Sequence, residues 1–282
     1  MDTRLLKYFV TVVEHENFTR AAEQLNITQP PLSIAIKKLE SILDLELLKR
    51  KEKTIKLTQE GEVLYHHAKI ILQQLDDAQL AMDELKGLEK GEVRLGVPGM
   101  MGSYFFPEIV MAFKRQYPRL KLRLVEAGTR AIRSMLIKGQ LDIGVILNED
   151  VPEELETDQL FRSQMVAVVG EQHTLASMSS LTFTEFFKYE LVMFGEGYFH
   201  RDFIETISKQ QGVAVNFSFE TNLLAMILKL VRNGFAITAL LDLVTEFEAG
   251  IVGIPFDEPV HLDLALAWRR DGYLSKADRT FI

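Results

Sequence analysis

Apolar positions in the first sixty residues recur at helical spacing in three short blocks. Leu5, Leu6, Phe9, Val12 and Val13 follow i, i+3/i+4, i+7/i+8 and predict a helix over residues 4–15. Asn17 is a favourable N-cap for a second helix with Ala21, Ala22 and Leu25 on one face. Asn26-Ile27-Thr28 breaks the pattern. Thr28 then caps a third helix, with Pro30 and Pro31 in its first turn, where a missing N–H costs little, and Leu32, Ile36, Leu39 and Leu43 as its buried stripe. Two β-compatible stretches, Leu45–Leu48 and Thr54–Leu57, flank a basic tip, Lys49-Arg50-Lys51-Glu52-Lys53. Three short helices followed by a basic hairpin predict a winged helix-turn-helix.

Beyond Thr58 the period changes. Leu64, Ala68, Ile71, Leu75, Ala78, Met82 and Leu85 alternate at spacings of four and three, an a/d seam. Residues 58–86 contain no proline and as one helix would run about 43 Å at ~1.5 Å per residue. Such a seam predicts helix–helix pairing between two chains; the alternative is a stripe packed on its own domain. From Glu92 strands and helices alternate: strands at Val93–Val97, Leu120–Glu126, Asp142–Leu147, Met165–Gly170, 215–219, 235–239 and Val260–Trp268. The helices between them fall at Ser103–Tyr117, Arg130–Lys138, 182–187, 200–211 and 222–233. That alternation predicts mostly parallel sheets in two small α/β lobes.

Composition narrows the class. The 282 residues are 47% apolar and 26% charged, as in ordinary soluble proteins. The absence of cysteine excludes a disulfide scaffold, a thiolate nucleophile and Cys-ligated zinc or iron–sulfur sites. No apolar run approaches the ~18–20 residues of a membrane span, and Met1-Asp2-Thr3-Arg4 has no signal pattern, so a cytoplasmic protein without a membrane partner is expected.

The net charge of −8 argues against nucleic acid until it is divided. Residues 1–60 carry ten Lys and Arg against nine Asp and Glu, leaving −9 on the remainder. Within residues 33–57 six Lys and one Arg face four acids, a local excess of +3. A basic reading head on an acidic body is the asymmetry of a polyanion-binding module. In a helix-turn-helix the first turns of the second helix meet base edges, here Thr28, Gln29, Pro30, Ser33 and Ile34. Gln29 suits adenine, Ser33 several bases, and Pro30 and Ile34 a thymine methyl. Lys37 and Lys38, one turn on, and Arg50, Lys51 and Lys53 of the wing suit phosphates. Each residue taken singly reads as a cap or a solvated side chain; the ordered combination carries the inference.

The run Phe9…Val13-Glu14…Asn17-Phe18-Thr19-Arg20-Ala21-Ala22-Glu23-Gln24-Leu25-Asn26-Ile27-Thr28-Gln29-Pro30-Pro31-Leu32-Ser33…Ile36-Lys37, continued by Leu47-Leu48-Lys49-Arg50 and Leu57-Thr58-Gln59-Glu60-Gly61, resembles the DNA-binding region of LysR-type transcriptional regulators. The order of parts is similar along the whole chain. The resemblance implies a winged helix-turn-helix over 1–58, a dimerisation helix over 59–88 and an effector domain over 91–282. That domain resembles type 2 periplasmic binding proteins, with lobe I about 91–163 plus 264–282 and lobe II about 164–263. It also implies a homodimer or homotetramer on a double-stranded operator, a small-molecule effector, and RNA polymerase as a partner if the protein activates; activation and repression are left open. Ile34, Asp44, Leu48, Ala236 and Leu240-Leu241 depart from the family pattern, and relatives continue past Ile282, so a trimmed C-terminus is expected.

Between the first strand and helix of the effector domain stands Gly96-Val-Pro98-Gly99-Met100-Met101-Gly102-Ser103. Its glycine spacing is not that of a dinucleotide fingerprint, so no cofactor is expected. A loop of N–H groups at a helix N-terminus, with the Ser103 hydroxyl, suits an anionic or polar ligand; a tight turn capped by Ser103 is the plainer reading. By resemblance, Pro98–Ser103, Thr129, Tyr198, His200 and Thr221 line the effector cleft, with carboxylates and aromatic acids as first candidates. The six His show no metal-ligand spacing and G-x-S-x-G is absent, so neither a metal nor an enzyme is expected. The rival reading is a solute-binding or enzymatic α/β protein whose N-terminal helices serve only dimerisation.

Overall fold

A computed structural model describes residues 2–51, 54–85 and 91–282; the side chains of Arg50, Lys51, Thr54, Leu80, Asp83, Glu84 and Leu85 lie outside that description. The chain forms two compact units, Met1–Gly87 and Leu88–Ile282.

In the first unit α1 (Thr3–His15), α2 (Phe18–Gln24) and α3 (Gln29–Leu43) enclose a core of Phe9, Val12, Ala21, Leu32, Ile36 and Leu39. Asp2 caps α1 through Leu5 N–H, and Asn17 accepts from Thr19 and Arg20 N–H at 2.8 and 3.1 Å. Thr28 stands at the N-cap of α3 but its side chain makes no capping bond. The reason is in the sequence: a cap oxygen bonds the N–H of the second or third helical residue, and here those are Pro30 and Pro31, which have none.

Asp44 ends α3 in the left-handed region, with φ of 52°. The first wing strand then starts at Leu48 rather than Leu45, because Glu40 Oε1 accepts from both Leu47 and Leu48 N–H and holds 45–47 in a turn. Strands β1 (Leu48–Lys51) and β2 (Thr54–Leu57) pair antiparallel, Leu48 opposite Leu57.

Helix α4 (Gln59–Leu85) is the predicted long helix, 27 residues in one piece. Its seam is not one face, however. Ala68, with Leu64, Tyr65 and Leu72, packs on Leu6 and Val10 of α1, so the seam's first two positions are satisfied within the unit. Ile71, Leu75 and Met82 stand 37, 46 and 51% exposed, with Ala78 exposed between them. The Leu85 side chain lies outside the described residues.

The second unit is built on a six-stranded sheet in the order β4-β3-β5-β10-β6-β9. Here β3 is Glu92–Val97, β4 Lys121–Glu126, β5 Ile143–Leu147, β6 Leu155–Gly170, β9 Thr238–Leu241 and β10 Ile251–Arg269. The expectation of mostly parallel sheets is corrected. β3 runs parallel to β4 and β5, but β10 is antiparallel to β5 and β6, and β6 to β9. Strands β6 and β10 are 16 and 19 residues long and carry the chain across the unit and back. Their full length escaped the hydrophobic pattern because 156–159 is polar, and because Pro255 and Asp257-Glu258-Pro259 read as a turn where the ladder only shifts register. A short parallel pair, β7 (Leu191–Met193) and β8 (Phe217–Glu220), adjoins the sheet through a bridge from Leu191 to Ile237.

Helices cover both faces: α5 (Phe106–Gln116), α6 (Thr129–Ile137), α7 (Phe183–Phe186), α8 (Phe199–Gln211), α9 (Leu224–Arg232), α10 (Leu243–Phe247) and α11 (Lys276–Phe281). The Gly-rich segment after β3 is not a loop. Helical backbone begins at Gly99, passes through a π turn over Met101–Phe105 and continues into α5.

Helix α11 is held by a capping box between Ser275 and Asp278. Asp278 is buried close to Asp142, which pairs with Arg94. Burial, then the charge of Asp142, pushes the Asp278 carboxyl up from 3.8 to about 6. Since its folded value is raised, the stability it contributes is full below 3.8 and lost as pH rises through about 6. Asp278→Asn, uncharged throughout, is therefore expected to raise the thermal midpoint at pH 7.5, by a gain on the order of 2 kcal/mol, and to give no gain near pH 4. Thermal melts across this range check it.

Candidate functional site: a basic reading head and an apolar cleft

On α3 the buried stripe Leu32, Ile36 and Leu39 turns the opposite face outward. Thr28, Gln29, Pro30, Lys37 and Lys38 are exposed and Ser33 is half-buried on that side. Ile34 lies among them 67% exposed, an apolar side chain that the fold gives no partner. In the wing Lys49 stands directly opposite Lys56, both exposed. Like charges facing each other across a ladder destabilise it, which is tolerable where a polyanion covers them. Sequence reasoning placed Lys49 in the basic tip but not among the phosphate contacts, and did not single out Lys56; their alternation along the two strands was the available signal. The Lys53 backbone and the Arg50 side chain fall outside the described residues.

In the second unit three helices point their N-termini at one cavity. Pro98–Met101 opens the helix after β3, with Gly102 N–H bonded to Pro98 O at 2.8 Å. Gly128 and Thr129 open α6, and Tyr198, Phe199 and His200 open α8; neither helix has a side-chain cap. Leu147, Phe194, Leu241, Leu262 and Leu264 supply apolar walls, and the cavity measures about 30 Å³. Three helix starts meet at this cavity, and the surface they expose to it is almost wholly apolar.

The cleft is held shut from both sides. Tyr198 Oη donates to Glu126 Oε1 at 3.1 Å and its ring stacks on Phe194. Burial and the Glu126 charge push the Tyr198 phenol up to about 12, so it keeps its proton. Arg130 pairs with Asp202 at 2.8 Å beside a second, more open hollow of about 290 Å³. At Gly128 a Cβ would lie 2.4 Å from the Gly197 carbonyl oxygen, so only glycine allows this backbone approach.

Two family models match the chain: the LysR substrate binding domain over residues 86–282 and the bacterial regulatory helix-turn-helix protein, lysR family, over 3–62. The chain belongs to the LysR family. This LysR-type protein is a DNA-binding transcriptional regulator with a substrate-binding domain. It is 31% identical to the regulator AlsR of Bacillus subtilis over 84% of this chain and 80% of that one. It is 30% identical to the uncharacterised regulator YwbI of the same organism over 100% and 95%. A full-length OxyR variant from Pseudomonas aeruginosa shares the fold at a TM-score of 0.72 and 24% identity, covering 99% of this chain and 92% of that one. CbnR, solved in complex with its target DNA, does so at 0.66 and 20%, covering 100% and 97%.

The LysR cleft brings together Pro98, Gly99, Met100, Met101, Thr129, Tyr198 and His200 of the expected ligand residues. Gly102, Ser103 and Thr221 do not line it. Because the helix starts at Gly99, Ser103 lies a full turn along it, exposed, and its Oγ donates to Gly99 O at 2.8 Å. Thr221 Oγ1 instead accepts from Leu223 N–H. Leu147, Phe194, Leu241, Leu262 and Leu264 were missed. They are ordinary strand and strand-end residues, and only the topology makes them walls. Among the described residues no group of three His, Asp or Glu is placed to hold a metal, and no helix is long and apolar enough to cross a membrane.

Gly128→Ala is expected to push the 195–198 segment away, costing about 1–3 kcal/mol and parting Tyr198 from Glu126. Hydrogen exchange at amides 197–202 is then faster than in wild type, while β5 amides are unchanged.

Proposed function

We propose that this LysR-type protein is a sequence-specific regulator whose reading head, residues 1–58, recognises an operator and whose 91–282 domain responds to a small metabolite. In this reading the helix of 59–88 joins two chains into a homodimer, and the assembly is a homodimer or a homotetramer. The ligand binds between lobe I (about 91–163 with 264–282) and lobe II (about 164–263) and is not turned over. The observation that carries the DNA half is the outward face of α3, where Gln29, Ser33 and Ile34 lie together with lysines one turn behind. The cavity beneath three uncapped helix N-termini supports the effector half.

Base contacts and phosphate contacts separate in a salt series. Gln29→Ala and Ser33→Ala are each expected to cost about 1–3 kcal/mol on the operator and to relax sequence preference. Lys38→Ala should weaken binding to every sequence and lower the salt slope by about 0.9. Gel shifts on the protein's own upstream region and on random DNA, at several salt concentrations, measure both. Equal affinity for the two DNAs would overturn specific recognition.

The exposed stretch Ile71, Leu75 and Met82 is assigned to the partner chain. Leu75→Asp places a charge in that contact and is expected to shift sedimentation from dimer or tetramer to monomer. An unchanged assembly would return the stripe to a solvated role.

A further inference from the structure

Ile34 of α3 is 67% exposed. A single apolar side chain in water is ordinary, but its place on this helix is not. The core beneath α3 is made by Leu32, Ile36 and Leu39. At about 100° per residue these three point about 140–160° away from Ile34, which therefore stands on the midline of the outward face. Pro30 and Lys38 fall about 40° to either side of that line, and Pro31 and Lys37 about 60°. All four are exposed.

The midline is apolar up to the lysines. Pro30 and Pro31 bring neither a side-chain donor nor an N–H, and Ile34 follows one turn later. The polar readers, Gln29 and Ser33, both lie on the flank that carries Lys37. Ile42 and Leu45, 47 and 46% exposed, come after the lysines and beyond the turns that meet base edges. Ile34 is thus the large apolar side chain that α3 holds out where bases are read.

The groups that distinguish base pairs in the major groove are hydrogen-bond donors and acceptors, with one apolar exception, the C5 methyl of thymine. An isoleucine pressed on N7, O6, O4 or N4 strips water from a polar atom and returns no hydrogen bond, which is costly. Pressed on the methyl, it removes apolar surface of both partners from water. Lys37 and Lys38 bracket the midline one turn on, where they can hold phosphates and fix the register of the contact. We propose that Ile34 reads the C5 methyl of one thymine in each half-site, so that the head requires a methylated pyrimidine there. This rests on α3 lying in the major groove of a specific operator, the reading proposed above.

The test uses the full chain and its own upstream region, amplified with either thymidine or deoxyuridine triphosphate. Deoxyuridine pairs as thymidine does and lacks only the methyl. In gel shifts the wild type is expected to bind the uracil form more weakly, by about fourfold for each methyl covered. Random DNA of the two kinds should bind equally, since that binding rests on phosphates. Ile34→Ser should bind the thymine form more weakly and no longer distinguish the two. Ile34→Gln, a good helix former at an exposed position, gives the same reading should the serine variant fold poorly. Single thymine-to-uracil exchanges across the footprint should concentrate the loss at one thymine per half-site.

Equal binding of the thymine and uracil forms, with preference over random DNA retained, would overturn the methyl contact and leave specific recognition intact. No preference for the upstream region in either form would remove the recognition reading and this proposal together. An undiminished thymine preference in both Ile34 variants would hand the methyl to another residue, Pro30 first, and overturn the role of Ile34. A loss spread evenly over many thymines would be a response to DNA shape and would count equally against it.

Discussion

The antiparallel ladder between β6 and β10 is the constraint on which the sensing half of this LysR-type protein depends. The two strands form one pair from Ile251 with Gly170 to Arg269 with Leu155, so the sheet on either side of the cleft shares the same two backbones. The ladder changes register twice, between Pro255 and Val260 and between Leu264 and Ala265. Leu262 and Leu264, which floor the cavity, lie between those two irregularities. Hydrogen bonding is regular where the flanking layers need rigidity and interrupted where the cleft requires the sheet to bend. Helices entering from both sides then meet with their N-termini inward, because each follows the carboxyl end of a strand or of a loop from the sheet.

Local patterns in the chain were enough to read the first unit almost completely. Its helices are amphipathic and its caps are local, so Leu32, Ile36 and Leu39 could be placed inside from their spacing alone. The errors there came from interactions one step beyond the local. Glu40 reaches the Leu47 and Leu48 amides and delays the wing by three residues, and α1 takes the first two positions of the α4 seam. In the second unit most elements were legible but the pairing was not, since the antiparallel directions depend on segments that meet across 70 or more residues. Ser103 was misplaced for a related reason: three glycines in seven residues suggested a loop, whereas the close approach of Gly96 to Leu141 and Ile132 shows that at least one of them serves helix–strand packing.

The cleft has two kinds of wall with different physics. The helix ends are fixed dipoles, oriented by backbone hydrogen bonds before any ligand arrives, so they cost no reorganisation on binding. The leucine, methionine and phenylalanine walls are soft, and methionine in particular adapts its shape to what it covers. Tyr198, which donates to Glu126, lines the cavity of about 30 Å³, and the Arg130–Asp202 pair lines the adjoining hollow.

The two prolines at the start of α3 have a consequence for how the reading head grips DNA. A helix of ordinary composition offers its first free amides to a phosphate, and that backbone clamp holds whatever the ionic strength does to the side chains. Pro30 and Pro31 delete two of those donors and leave the Thr28 hydroxyl unclaimed by its own helix. In the complex proposed above, anchoring therefore falls to side chains, the lysines of α3 and the wing above all, rather than to the first amides of the helix.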